Sequence, residues 1–159
     1  MKRLVLLRHA KSSNKSLAAT DHERPLKGRG RRDAPVIGLR IVQRGWDPDT
    51  VLCSSAARAV ETWERLGIDA PCAIVPALYH ASGTGLIDHL RGLGDSIDTA
   101  MAIGHNPGWE DAVEQLSGEE TRMTTCNAAL LESTEDSWDA AFGGKWTLVT
   151  VLRPRPPRG

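Results

Sequence analysis

Residues 4–7 are four apolar side chains in succession, and the run breaks directly into Arg8 and His9. Short apolar runs recur at 50–53, 73–75, 99–103, 128–131 and 146–152. Together with 3–7 they have the length and, for the most part, the composition of β-strands. Between them, apolar residues return at helical spacing over 28–43, 56–66, 83–93 and 107–116. The last of these has Pro107 near its first turn, where an amide hydrogen is not needed. Strand and helix in alternation predict a three-layer α/β/α sandwich with a mostly parallel six-stranded sheet covered on both faces. Residues 133–145 show no clear full-length helix, so at least one antiparallel pairing is expected near the end of the sheet.

Composition adds scale to this picture. The chain has 159 residues, 40% apolar and 25% charged, which suits one domain over 1–152 followed by a basic Pro-rich tail, 153–159, that is expected to fray. Folding at this length buries about 70% of the unfolded surface, enough for a core without staples. Cys53, Cys72 and Cys126 form no C-x-x-C pair and no zinc-like spacing with any His, and they read as small buried residues in a reducing compartment. The four apolar residues after Met-Lys-Arg are too few for a signal segment or a membrane span. A cytoplasmic, soluble protein without a membrane partner is expected.

The net charge is zero, yet residues 1–50 carry 12 Lys/Arg against 5 Asp/Glu, and residues 51–152 carry 5 against 15. That balance argues against a nucleic-acid partner and allows one region to present a positive field to an anion.

In sheets of this kind ligands bind at the carboxyl ends of the strands. The first strand ends in Arg8-His9, the second in Cys53-Ser-Ser-Ala-Ala-Arg58, and the fourth in Gly104-His105-Asn106-Pro-Gly. Two Arg and two His would thus meet at one edge with no obvious carboxylate among them, an arrangement that suits a multiply charged anion such as a phosphoryl group. Arg supplies planar forks for its oxygens, and helix N-termini supply backbone donors. Taken singly, each has an ordinary reading: a solvated strand end, a turn, or a helix-surface arginine paired with Glu61 or Glu64.

In their order and spacing these motifs resemble the histidine phosphatase superfamily, with its phosphoglycerate mutase-like fold. The Arg-His-Ala-Lys-Ser wording and Asp21-His-Glu-Arg-Pro-Leu26 with Gly30 are most similar to its small SixA-type phosphohistidine phosphatases. The resemblance implies that His9 is the nucleophile, forming a phosphohistidine intermediate, and that Arg8 and Arg58 clamp the phosphoryl oxygens while His105 donates to the transferring group. The substrate-binding set it suggests is Arg8, Arg58, His105, Ser12 and Asn106, with no metal or other cofactor.

Many members carry a Glu after the third strand as the acid for an alcohol leaving group. Here the stretch is Leu78-Tyr-His-Ala81. Proton donation is worth about 10²–10⁴-fold, whereas a phosphorylated imidazole can depart neutral through its own second nitrogen. The expected substrate is therefore phosphohistidine in a phosphorylated protein. The alternatives are a small-molecule phosphomonoesterase with His80 as acid and a non-catalytic phosphate-binding module. Lys11 and Gly28 also stand where relatives often carry Glu, and with Lys15, Arg24 and Lys27 they would make the rim basic. His22 and His89 read as surface residues, and the five Trp mostly as core or edge packing, with Trp109 the one candidate for a pocket wall.

Overall fold

The computed structural model describes residues 1–14 and 18–155. Six strands, β1 (Lys2–Arg8), β2 (Thr50–Ser54), β3 (Cys72–Val75), β4 (Thr99–Gly104), β5 (Ala128–Ser133) and β6 (Thr147–Leu152), form one sheet in the order β3-β2-β4-β1-β5-β6. The helices are α1 (Gly28–Gln43), α2 (Ala57–Arg65), α3 (Gly83–Leu90), α4 (Gly108–Ser117) and the short α5 (Trp138–Phe142).

The uninterrupted apolar run of β1 is explained by burial on both faces. Leu4 and Leu6 pack with α3, α4 and α5, while Val5 and Leu7 pack with α1 and α2, the period-two alternation of a strand shared between two cores. The sheet is the expected three-layer α/β/α arrangement, and β5 alone runs against its neighbours. β1 is thus bordered by parallel β4 and antiparallel β5 rather than by two parallel strands.

This reversal bears on the site. Leu7 lies opposite Ile103 of β4 and Ala128 of β5, so the end of β1 meets the end of β4 and the beginning of β5. The segment leading into β5 is therefore delivered to the same edge as Arg8, Arg58 and His105.

Glycines permit two close approaches there. A Cβ on Gly30 would lie 2.2 Å from the main-chain oxygen of Lys11, and one on Gly104 would lie 2.2 Å from the Trp109 ring. The first lets α1 pack against the loop after β1, and the second lets Trp109 lie directly behind β4.

The start of the C-terminal tail is tied down rather than frayed. Arg155 Nη2 pairs with Asp33 at 2.8 Å, Arg153 Nη1 donates to Asn127 Oδ1, and Arg40 donates to the Arg153 carbonyl. Residues 156–159 and Lys15 lie outside the described residues. Cys53 and Cys126 are buried as expected, whereas Cys72, on the edge strand, is half-buried. No described helix is long and apolar enough to cross a membrane.

Candidate active site

A pocket of about 310 Å³ opens at this edge, lined by Arg8, His9, Lys11, Ser12, Arg24, Arg58, His105, Asn106 and Thr125. Of the candidate catalytic and substrate-binding residues, Arg8, His9, Ser12, Arg58, His105 and Asn106 line it, and His80 does not. Among the described lining residues there is no carboxylate, and no described group of three or more His, Cys, Asp or Glu is arranged to hold a metal ion.

His9 is held by its main chain on both sides. Its amide donates to the Gly104 carbonyl at 3.0 Å, and its carbonyl accepts from Cys126 N at 3.0 Å. The next amide, Ala10 N, donates to Thr62 Oγ1 at 3.0 Å, and that hydroxyl donates to the Arg58 carbonyl at 2.7 Å. Thr62 thereby links the loop after β1 to the helix that carries Arg58.

The His9 ring is 6% exposed, with Nδ1 2.7 Å from the Ala10 carbonyl oxygen. A carbonyl oxygen can only accept, so Nδ1 carries the proton of the neutral ring and Nε2 keeps its lone pair. Burial pushes the His9 pKa down to about 3; the Ala10 carbonyl opposes this, and His105, Arg58 and Arg8 reinforce it.

His105 lies with its ring centroid 5.1 Å from that of His9. Its Nε2 is 2.7 Å from Ser54 Oγ, which also accepts from the Ala56 amide. The hydroxyl can donate to Nε2 or accept from it, and Nδ1 is a buried atom with no partner among the described residues. Burial first, then Arg58 and His80, lower the His105 pKa to about 4. Both imidazoles are thus neutral at physiological pH, and the Ala10 carbonyl fixes the tautomer of His9.

Arg58, 5% exposed, enters from the first turn of α2. Contrary to the expectation of cations without a carboxylate, it faces Asp21: Nη1 donates to the Asp21 carbonyl at 2.9 Å and Nη2 to Oδ2 at 3.2 Å. Asp21 Oδ2 also accepts from the Tyr79 hydroxyl at 2.5 Å, and Oδ1 accepts from Arg24. The Tyr79 hydrogen bond, helped by Arg58 and Arg24, holds the Asp21 carboxyl well below the usual carboxylate range against the opposing effect of burial.

Arg8 has a second carboxylate nearby, since Glu110 supports its charge against burial. Its Nη1 donates to the Met123 carbonyl at 3.1 Å, which also accepts from Asn106 Nδ2 at 2.8 Å, while the Met123 amide donates to Glu110 Oε2 at 2.7 Å. One peptide of the segment before β5 therefore positions both Arg8 and Asn106. Ser12 Oγ accepts from Arg24 Nη1 at 2.6 Å.

Asp21, Tyr79, Thr62 and Met123 carried no signal in the sequence for these roles, although Asp21 and Arg24 belong to a quoted motif. His80 is exposed, with φ 64°, and its ring lies 3.8 Å from that of Tyr79; the structure leaves it outside the pocket lining. His22 is half-buried rather than a surface residue, with Nε2 2.9 Å from Ser55 Oγ, whereas His89 is exposed. Trp109 is fully buried and donates to the Ala102 carbonyl at 3.1 Å, so it backs His105 from the core instead of lining the pocket.

No family model matches the chain. An uncharacterized chloroplastic protein of Arabidopsis thaliana is 35% identical over 170 residues, covering 96% of this chain and 78% of that protein. Among solved structures, a provisionally assigned phosphohistidine phosphatase SixA of Nakamurella multipartitia superposes with a TM-score of 0.86 at 27% identity, over 96% of each chain. A similarly assigned SixA of Agrobacterium tumefaciens does so at 0.82 and 26% identity, over 96% of this chain and 98% of that one. With its sheet order and its Arg-His strand end, the chain belongs to the histidine phosphatase superfamily, in the branch of small SixA-type proteins.

Proposed function

We propose that the protein is a phosphatase that hydrolyses phosphohistidine in a phosphorylated protein through a covalent intermediate on His9, with no metal cofactor. Nε2 of His9 attacks phosphorus as the bond from phosphorus to the substrate's imidazole nitrogen breaks. The departing ring is neutral when its other nitrogen carries a proton, so no acid from the protein is required. Water then attacks the phosphorylated His9. Its proton leaves with the released phosphate, and His9 departs as the neutral ring whose Nδ1 hydrogen has stayed on the ring, donated to the Ala10 carbonyl, throughout.

Arg8, Arg58 and His105 line the pocket and would donate to the oxygens on which transition-state charge gathers. Lys11, Arg24 and Ser12 complete a wall of donors, and the remaining Asn106 amide hydrogen can join them.

The observation that carries the choice of substrate is the absence of a carboxylate among the described pocket-lining residues. Asp21, the nearest alternative in the Arg58 network, is occupied by Arg58, Arg24 and Tyr79. A protein rather than a small molecule is supported by a second groove of about 690 Å³ that shares Arg8 and Asn106 with the pocket. Its carboxylates, Glu110, Asp111, Glu114 and Glu120, would repel a nucleic-acid backbone.

The test is incubation with a histidine-phosphorylated phosphocarrier protein and, in parallel, with an aryl phosphate, followed by trapping of the acid-labile phosphoenzyme. Release of phosphate from the carrier and a phosphoenzyme that disappears in His9→Ala are expected. Inactivity on both substrates overturns the enzymatic reading, and phosphoprotein binding that is the same in His9→Ala, with no phosphoenzyme, would favour a docking module.

A further inference from the structure

Arg58 offers more N–H groups than its protein partners use, and the choice among them is made outside the pocket. Its Nη1/Nη2 end is engaged by the carbonyl and Oδ2 of Asp21, while Nε is buried and has no partner among the described residues. On a guanidinium, Nε and Nη2 share an edge, so the Nε hydrogen and the second Nη2 hydrogen form a free two-pronged donor of the kind that matches two phosphoryl oxygens.

We infer that Asp21 is a positioning residue that fixes Arg58 with its Nε/Nη2 edge toward the phosphoryl group, and that Tyr79 holds Asp21 in place for this task. The inference rests on the reading of the pocket as a phosphoryl site. Asp21 does not line the pocket, and it acts only through Arg58. Its carboxylate is gripped from three directions: by Arg58 from α2, by Tyr79 after β3, and by Arg24. Tyr79 also supports the other side of the pair, with the Arg58 guanidinium 5.8 Å from its ring centroid. Arg24 extends the chain of contacts to Ser12 Oγ and the Ser13 carbonyl on the pocket rim. One carboxylate thus sets the orientation of a clamp and braces the wall beside it.

Charge alone predicts the opposite. A carboxylate close to an anion site repels the anion, so its removal should tighten binding. If Asp21 instead orients Arg58, its removal should weaken binding despite the lost repulsion.

The experiment is calorimetric titration of the full chain with inorganic phosphate, for wild type, Asp21→Asn, Asp21→Ala and Tyr79→Phe, with circular dichroism to verify folding. The expected result is a dissociation constant raised about tenfold or more in Asp21→Ala, in line with losing hydrogen bonds between charged groups. Asp21→Asn and Tyr79→Phe should move in the same direction by less. Unchanged or tighter phosphate binding in folded Asp21→Ala overturns the inference. If that variant does not fold, unchanged affinity in both Asp21→Asn and Tyr79→Phe overturns it equally. A wild type that binds no phosphate sinks the reading of the pocket and the inference with it. A wild type that binds phosphate but leaves phosphohistidine intact removes the proposed substrate and leaves the role of Asp21 standing.

Discussion

Nδ1 of His9 lies 2.7 Å from the carbonyl oxygen of Ala10, the residue that follows it. The tautomer of His9 is therefore fixed by the adjoining backbone, independently of any side chain. Burial keeps this ring neutral down to a pKa of about 3. An ordinary histidine would be only about 3% neutral at pH 5. The rate of phosphoenzyme formation, measured by rapid quench and corrected for ionisation of the substrate, should hold nearly level from pH 8 to pH 5. An acid limb centred near pH 6.5 would contradict the buried neutral nucleophile.

The same shifts affect stability, with a definite sign. His9 and His105 have folded-state pKa values of about 3 and about 4, both below the unfolded value of about 6.5. Below pH 6.5 the unfolded chain takes up protons that the folded chain refuses, so stability falls as the pH is lowered. Each group costs up to about 1.4 kcal/mol per pH unit until its folded pKa is reached. The loss should show in urea unfolding between pH 6.5 and 5, above the range in which carboxylates titrate. His105→Gln should roughly halve that slope, and an unchanged slope would contradict the assignment.

The Ser54 hydroxyl lies 2.7 Å from Nε2 of His105, and if it donates there the ring proton stands on Nδ1. Removing a donor to transition-state charge costs about 10²–10³-fold. His105→Ala should lose that much in kcat. Ser54→Ala should lose less, because the ring remains while its tautomer is freed. Nitrogen NMR of His105 provides the independent check: Nδ1–H should dominate in wild type and become mixed in Ser54→Ala.

The sheet and the convergence of Arg8, His9, Arg58 and His105 were legible in the sequence because both follow from local signals. A doubly buried strand reads as an unbroken apolar run, and parallel strands bring their carboxyl ends to one edge. The helix over 28–43 was likewise legible to its ends. The Asp21–Arg58 pair was not, because Asp21 lies in a loop 37 residues from its partner, and the path of that loop is set by Tyr79, Arg24 and Gly30 rather than by any periodicity. Met123 was hidden for another reason. Only the reversal of β5 brings the segment before that strand to the site, and the sequence predicted an antiparallel pairing without saying which end it would deliver.

Gly104 is the last residue of β4, and the one beside it is His105. An added Cβ would meet Trp109 Cη2 at 2.2 Å, and the Trp109 ring has no room to retreat because it is fully buried and its Nε1 is bonded to the Ala102 carbonyl. Overpacking of this sort costs about 1–3 kcal/mol. Gly104→Ala should lower the urea midpoint accordingly and reduce kcat by displacing His105, whereas Gly45→Ala, where a Cβ meets nothing within 4 Å but φ is positive, should affect stability alone.

The leaving group provides the last check on how the site works. With no carboxylate among the described lining residues, an alkoxide must depart without assistance, and rates on aryl phosphates should climb steeply as the phenol becomes more acidic. An alkyl phosphate should lag by about the 10²–10⁴-fold that a general acid contributes elsewhere. His80 is the side chain that could alter this, since it stands next to Tyr79 and close enough to influence His105. Exposed and outside the pocket lining, it should have no effect: His80→Ala should leave the dependence on phenol acidity and the turnover of phosphohistidine unchanged. A selective loss of alkyl phosphate turnover in that variant would instead make His80 the acid and the protein a phosphomonoesterase of broader reach.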